Sequence, residues 1–196
     1  MRYLILNGTP YHVSYPADFY RGTDRRRPVY CDSLPRDHEV NRLFEWYLNE
    51  TYGGFIQDLD TARRYAALCN RYFPSQRFEI VEACQGNEKA SNSDGKFLGF
   101  DISAGGGGDS LIFLALLAGP SAAVPEGSVL LLSDLICRHF HPRLNEFGLF
   151  SSFEDASYCR RAMIALQSLH PNLYEGGDLE VFLVTGIYLI PESNDK

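Results

Sequence analysis

The sequence predicts one α+β domain in which helices pack against a mostly antiparallel sheet. Short runs with the apolar or alternating pattern of strands are interspersed with longer amphipathic runs that have helical spacing. The apolar fraction of 45% is sufficient for a sizeable core. No repeat, low-complexity tract or interdomain linker interrupts the chain, so we expect a single domain over residues 1–196.

The N-terminal region is predicted to contain one strand followed by a long loop. The run from Tyr3 to Leu6 is apolar, but it is too short for the hydrophobic core of a signal peptide and fits a first strand better. A loop-rich segment rich in proline, arginine and tyrosine follows at about 8–35. Its four tyrosines suggest a loop anchored to the rest of the domain.

Helices are predicted from three- and four-residue apolar spacing at 36–52, 60–73, 133–141 and 152–169. Asp60 can cap the second of these helices, and Pro74 ends it. Ser152 and Asp155 form a start that resembles a capping box. The stripe of the last helix that is predicted to be buried consists of Phe153, Ala156, Cys159, Met163, Leu166 and Leu169.

Three further strands are predicted at 77–84, 97–103 and 179–190. We expect the first two to be antiparallel neighbours, and the nearly all-apolar third to be a central strand covered on both faces. Strict alternation would place Phe97, Gly99, Asp101 and Ser103 on one face and Leu98, Phe100 and Ile102 on the other. Asp101 would then lie on the polar or partner-facing side of the sheet.

Charge and cysteine content narrow the functional classes. The formal net charge is −7, which argues against nucleic-acid binding, because that function requires a positive surface. No apolar run approaches the length of a membrane span. The five cysteines form an odd number without a CxxC pair, which favours buried thiols in a reducing cytoplasm. We expect neither a cofactor nor a metal, and the pattern carries no information on oligomeric state.

The segment from Phe97 to Ala118 has the composition least typical of a hydrophobic core. Four consecutive glycines, Gly105, Gly106, Gly107 and Gly108, connect a strand to an apolar helix that Asp109 or Ser110 can cap. Such a turn could hold an anion on its backbone N–H groups. It lacks the lysine of a Walker loop, and Asp109 would repel a phosphate, so a strand-to-helix turn is the simpler interpretation.

Two ligand-binding alternatives remain open for this segment. Asp101, Asp109 and Ser110 could form a small acidic site around the glycine turn, as in a hydrolase-like enzyme. The turn could instead serve a regulatory domain that binds a small anion. His139 and His141 cannot share a metal on a regular helix, because their spacing places them about 200° apart. We assign no catalytic or metal-binding residue.

The strand FLGFDIS, the glycine-rich turn, the sequence DSLI and the apolar helix together resemble the "GYDVS…YSLI" pattern of small bacterial immunity-type proteins. Those proteins are encoded beside polymorphic or contact-dependent toxins. The later run LNEFGLFSSFEDASYCRRAMIAL is similar to the same group, with a Gly-Leu-Phe turn followed by a helix that opens with acidic residues. The resemblance covers about residues 77–170.

The resemblance implies a non-enzymatic protein that binds and occludes a cognate toxin. The partner would then be a protein, for which a basic toxin domain would suit the acidic charge of this chain. Asp101 and the segment from Gly105 to Ser110 become candidates for contacting a partner or ligand. The four glycines and the long N-terminal loop depart from the family pattern, and therefore leave the position of the binding surface open.

Overall fold

The structure is a computed structural model that describes residues 2–7, 35–43, 45, 56–72, 74, 78–86, 94–104, 132–171 and 178–191. Its strands are β1 (Arg2–Asn7), β2 (Phe78–Gln85), β3 (Lys96–Ala104) and β4 (Phe182–Ile190). Its helices are α1 (Leu59–Tyr72), the short α2 (Leu132–Leu135) and α3 (Phe153–Leu169). Residues 39–43 and 45 are also helical. Residues 8–34 of the loop predicted at about 8–35, and the Trp46 end of the first predicted helix, lie outside the described residues.

The four strands form one sheet in the order β1-β2-β4-β3, and every neighbouring pair is antiparallel. The α+β prediction is therefore confirmed. The predicted pairing of the second and third strands is wrong, because β4 lies between them. β2 pairs with one side of β4 and β3 with the other, so β2 and β3 run parallel to each other. The prediction that the last strand is central is confirmed.

Helices α1 and α3 pack on the same face of the sheet, which we call the helical face. Phe78 and Ile80 of β2 form a core cluster with α1, and Val184 of β4 forms another with α3. Directly paired residues of antiparallel strands project to the same side. The pairing of Ile80 with Ile190 therefore places both clusters on one face.

The ends of α1 and α3 are fixed by side chains. Asp58, rather than the predicted Asp60, caps α1, since its Oδ2 accepts from both the backbone N–H and the hydroxyl of Thr61 at 2.7 Å. The predicted cap of α3 is confirmed: Ser152 Oγ accepts from the N–H of Asp155 at 3.1 Å and donates to its carboxylate at 3.0 Å.

The buried stripe of α3 is narrower than predicted. Ala156, Cys159 and Met163 are buried, whereas Phe153 is 36% exposed and Leu169 is 75% exposed. Leu169 is the last residue of the helix. The exposed Phe153 instead packs edge-on against Phe100 of β3, with ring centroids 5.7 Å apart.

The predicted helix at 133–141 is present, but its winding changes along its length. α2 passes directly into a π-helical turn at Ile136–Phe140 and then into a 3₁₀ turn at His141–Arg143. Pro142 occupies the 3₁₀ turn, which is where the sequence predicts a break. Ile136 and Phe140 are buried in the core cluster beneath α3, so the irregular winding keeps both apolar side chains inward.

A bulge interrupts β3 between Phe97 and Gly99 and changes which residues share a face. Leu98 packs with Val81, Ala83 and Ile187, on the face opposite the helices. Phe97 contacts Phe100 and Tyr188 on the helical face, with ring centroids 5.0 and 5.1 Å apart. The strict alternation predicted from sequence is therefore wrong at Phe97 and Leu98, because a bulge shifts the two-residue period by one.

Candidate functional site

Asp101 lies in the middle of β3 and is only 1% exposed. It pairs with Thr185 of β4, on the face opposite the helices. The prediction placed it on the polar or partner-facing side, but Asp101 is buried there and is not exposed to a partner. The sequence pattern shows the direction of the side chain, but it does not show that this face of the sheet is also covered.

The carboxylate of Asp101 accepts a hydrogen bond from the backbone N–H of Ile102 at 2.8 Å. This N–H points away from β4, because Phe100 directs its own N–H and C=O outward to Phe150 at 2.8 and 2.9 Å. Outward groups recur at every second residue of an antiparallel edge strand, so Ile102 is the next such position. Asp101 therefore satisfies a donor on the outer edge of β3.

Two hydroxyls extend this buried polar cluster. Ser103 is 3% exposed and Thr185 is fully buried, and their side-chain oxygens are 2.7 Å apart. Thr185 Oγ1 also donates to the backbone carbonyl of Leu183 at 3.2 Å, which leaves Ser103 as the donor between the two hydroxyls. Mutual hydrogen bonding of this kind offsets the cost of burying polar groups. The geometry is that of a polar clamp between β3 and β4.

The remaining predicted site residues, Gly105 to Ser110, lie outside the described residues, so the acidic site with Asp109 and Ser110 stays a prediction. His139 is exposed and His141 is half-buried. Burial lowers the pKa of His141, which favours a neutral ring. No cluster of three or more metal-ligating side chains occurs within the described ranges.

Two of the described thiols, those of Cys69 and Cys159, are unreactive in character. Cys159 is fully buried, and desolvation raises its pKa far above the ordinary value, with Arg143 opposing the effect only partly. Its sequence neighbour Arg160 instead donates to the backbone carbonyls of Phe182 and Glu180. Burial likewise raises the pKa of Cys69 to about 12. Neither thiol has the electropositive, accessible setting of a nucleophile.

The strand FLGFDIS and the turn LNEFGLF dock against each other. Asn145 Nδ2 donates to the carbonyl of Leu98 at 2.8 Å, while Asn145 Oδ1 accepts from the N–H groups of Phe147 and Leu149 at 2.9 and 3.2 Å. Gly148, with φ 69°, closes the turn. Two of the segments quoted for the family resemblance thus contact each other directly, whereas the glycine-rich turn and the helix after it lie outside the described residues.

An open groove lies between the first turns of α3 and the adjoining ends of β2 and β4, with a volume of about 540 Å³. We call it the α3 groove. Its lining residues are Gln85, Gly86, Phe153, Ser157, Arg160, Arg161, Leu183 and Val184. The helical members recur at four- and three-residue spacing on one side of α3. That spacing is visible in the sequence, but the strand members are not predictable without the order of the strands.

The α3 groove combines apolar side chains with free hydrogen-bond donors. Phe153 and Leu183 are 36% and 38% exposed. Arg161 is exposed and has no ion-pair partner in the described part of the chain. The buried Nε2 of Gln85 lacks a hydrogen-bond acceptor among those same residues. Gln85 pairs with Thr185, and Leu183 lies two residues before Thr185, so both strand side chains project from the face opposite α3. They therefore do not meet Phe153 and Arg161 in one binding site.

No helix in the described ranges is long and apolar enough to cross a membrane. Comparison of the chain with protein-family models, with curated proteins and with solved structures finds no match.

Proposed function

We propose that this chain is a non-enzymatic binding protein of the immunity type, which binds and occludes a cognate bacterial toxin in the cytoplasm. The observation that carries the proposal is the docking of Asn145 and its turn onto the bulge of β3. The contact brings two of the segments that carry the resemblance together, and the contacting residues support the fold of this chain, as in a binding scaffold.

The burial of Asp101 supports binding over the hydrolase-like alternative. A nucleophile, or a ligand of an exchangeable metal, must be accessible to substrate or solvent. Asp101 is 1% exposed and its carboxylate is engaged by the backbone of Ile102. These properties suit a residue that fixes the edge of β3.

The net charge of −7 supports a basic partner. A strongly charged protein attracts an oppositely charged partner over distances comparable to the Debye length, about 8 Å at physiological salt. Association with a basic toxin domain should therefore slow as the salt concentration rises. The alternative in which Gly105 to Gly108 bind a small anion does not call for a basic protein partner.

The test is co-expression with the toxin-like protein encoded by the neighbouring open reading frame. We expect this chain to restore growth and to form a stable complex with that protein in size-exclusion chromatography. A Gly99→Val variant is the control for loss of fold, and it should restore growth poorly. Growth arrest and absence of a complex with the folded wild-type chain would overturn the proposal.

A further inference from the structure

We propose that a row of four aromatic rings on the helical face receives a lysine or arginine side chain of the partner. We call it the aromatic row, and it consists of Phe153, Phe100, Phe97 and Tyr188. This inference rests on the proposed function, because it takes the partner to be a basic protein. It adds the place of the contact and the chemistry of the side chain that occupies it.

The four rings of the aromatic row contact one another in sequence. Phe153, the first residue of α3, has its ring centroid 5.7 Å from that of Phe100 of β3. Phe97 lies between Phe100 and Tyr188, with centroid distances of 5.0 and 5.1 Å. The strand register agrees, since Phe97 pairs with Tyr188 and paired residues project to the same side. The rings therefore form one continuous surface.

Gly186 of β4 makes room for the middle of the row. It pairs with Phe100 on the neighbouring strand. A Cβ at position 186 would lie 3.2 Å from Cε2 of Tyr188 and 3.7 Å from Cε1 of Phe100. The rings of Tyr188 and Phe100 thus approach the glycine from two sides. A side chain at this position would crowd the ring of Tyr188.

Part of the row is open to solvent. Phe97 is 40% exposed and Phe153 is 36% exposed, while Phe100 lies half-buried between them. The ring planes of Phe97 and Phe153 are inclined by 65° and 79° to that of Phe100. Rings inclined in this way present their faces in different directions. A cation that enters between such rings can contact more than one of them, as in an aromatic cage.

The charges next to the row favour a cation as the occupant. The face of an aromatic ring is electronegative and attracts an ammonium or guanidinium group. Glu154, the residue after Phe153, is exposed and has no ion-pair partner in the described part of the chain. Glu82 of β2 pairs directly with Tyr188 at the other end of the row. The net charge of −7 acts in the same direction.

The cationic side chains of the same elements lie away from the row. Lys96, the neighbour of Phe97, projects to the face opposite the helices, where its ammonium lies 5.4 Å from the centroid of the Phe147 ring. Arg160 donates to two backbone carbonyls. Arg161 follows about 12 Å along α3 from the start of the helix. The rings are therefore left to an incoming side chain.

The test uses two blocked peptides, acetyl-Gly-Arg-Gly-amide and acetyl-Gly-citrulline-Gly-amide, titrated into isotope-labelled full chain by NMR. Citrulline replaces the guanidinium by a neutral urea group of nearly the same shape. We expect the arginine peptide to shift the amide signals of Phe97, Phe100 and Phe153 saturably, with a dissociation constant on the order of 10 mM. The citrulline peptide should bind roughly threefold more weakly, which is the effect of one exposed cation–π contact.

Two variants and a control make the result specific. Phe97→Leu and Phe153→Leu each keep an apolar side chain but remove one ring, so each should remove most of the preference for the arginine peptide. Tyr72→Leu removes a ring of α1 that is 40% exposed, and it should preserve the preference. Retained signal dispersion would show that each variant is folded.

Four outcomes would overturn the inference. Equal affinity for the two peptides would assign the rings to an apolar side chain instead of a cation. An unchanged preference in both ring variants, shifts that map away from the row, or no binding up to about 100 mM would also contradict it. The proposed function is tested separately by growth. Restored growth without peptide binding would remove the row as the contact but keep the function, and peptide binding without restored growth would do the reverse.

Discussion

Gly99 of β3 lies so close to Leu149 that a Cβ at position 99 would fall 2.7 Å from the Cβ of Leu149 and 2.9 Å from the carbonyl oxygen of Phe150. The backbone of Gly99 has φ 146°, which side-chain-bearing residues rarely adopt. Only glycine therefore allows the turn at Asn145 to seat against the bulge. The contact joins two segments that are more than forty residues apart in the sequence.

Gly99→Ala is expected to destabilise the fold by about 2–4 kcal/mol, since it combines overpacking with an unfavourable φ. The measurement is the free energy of unfolding from urea denaturation. Gly86→Ala is the matched control, because Gly86 has φ 61° but no atom lies within 4 Å of the position that a Cβ would take there. It should cost only about 1 kcal/mol. Equal losses for the two variants would contradict the packing argument.

Asn145→Ala should lower the free energy of unfolding by about 2–3 kcal/mol, since it removes three hydrogen bonds and leaves two N–H groups and a carbonyl without that partner. Ser168→Ala removes one exposed bond to the carbonyl of Ile164 and should change the free energy of unfolding by less than about 0.5 kcal/mol. A small effect at Asn145 would mean that the turn is held chiefly by Leu149 and Phe150.

Asp58→Asn should make stability less dependent on pH in the acid range. The hydrogen bonds from Thr61 lower the pKa of Asp58 below its ordinary value of 3.8. A carboxyl with a depressed folded pKa contributes stability above its unfolded pKa and loses it as pH falls through the folded pKa. Unfolding midpoints of wild type and variant should therefore converge below pH 3.8. Parallel curves over that range would contradict the assignment of Asp58 as a charged cap.

Iodoacetamide should leave Cys69 and Cys159 unmodified in the native protein at pH 8. Burial raises the pKa of both thiols, that of Cys69 to about 12, so hardly any reactive thiolate is present. Peptide mapping by mass spectrometry should find Cys137, which is half-buried, modified before either of them. In urea, Cys69 and Cys159 should react as well. Native labelling of Cys159 would contradict its burial on the inner side of α3.

Apolar spacing and capping residues in the sequence predict the helices well, because both depend on residues that are close together in the chain. The spacing of Ala156, Cys159 and Met163 and the cap at Ser152 follow from residues within one or two turns, and the structure agrees with both. The cap of α1 lies two residues before its predicted position, because Asp58 and Asp60 are equally suitable cappers in sequence. Only the contact with Thr61 distinguishes them.

The site is harder to predict because its features depend on distant segments. The bulge at Leu98 accepts a hydrogen bond from Asn145, and Asp101 lies beside Thr185 of β4. The alternation of apolar and polar residues along β3 predicts neither the bulge nor the burial of Asp101. The α3 groove cannot be predicted from the sequence for the same reason: Gln85 of β2 and Leu183 of β4 both line it only because these two strands are neighbours in the sheet.

The position of β4 also bears on how this chain forms its sheet during synthesis. β1 and β2 can pair as soon as residue 85 has emerged from the ribosome, but β3 lacks its neighbour β4 until residues 182–190 follow. For that interval the hydrogen-bonding edges of β2 and β3 are open, and open edges invite pairing with other chains. β4 thus completes the described sheet last, and chains that stop before residue 182 would lack the strand that covers one edge of β2 and one edge of β3.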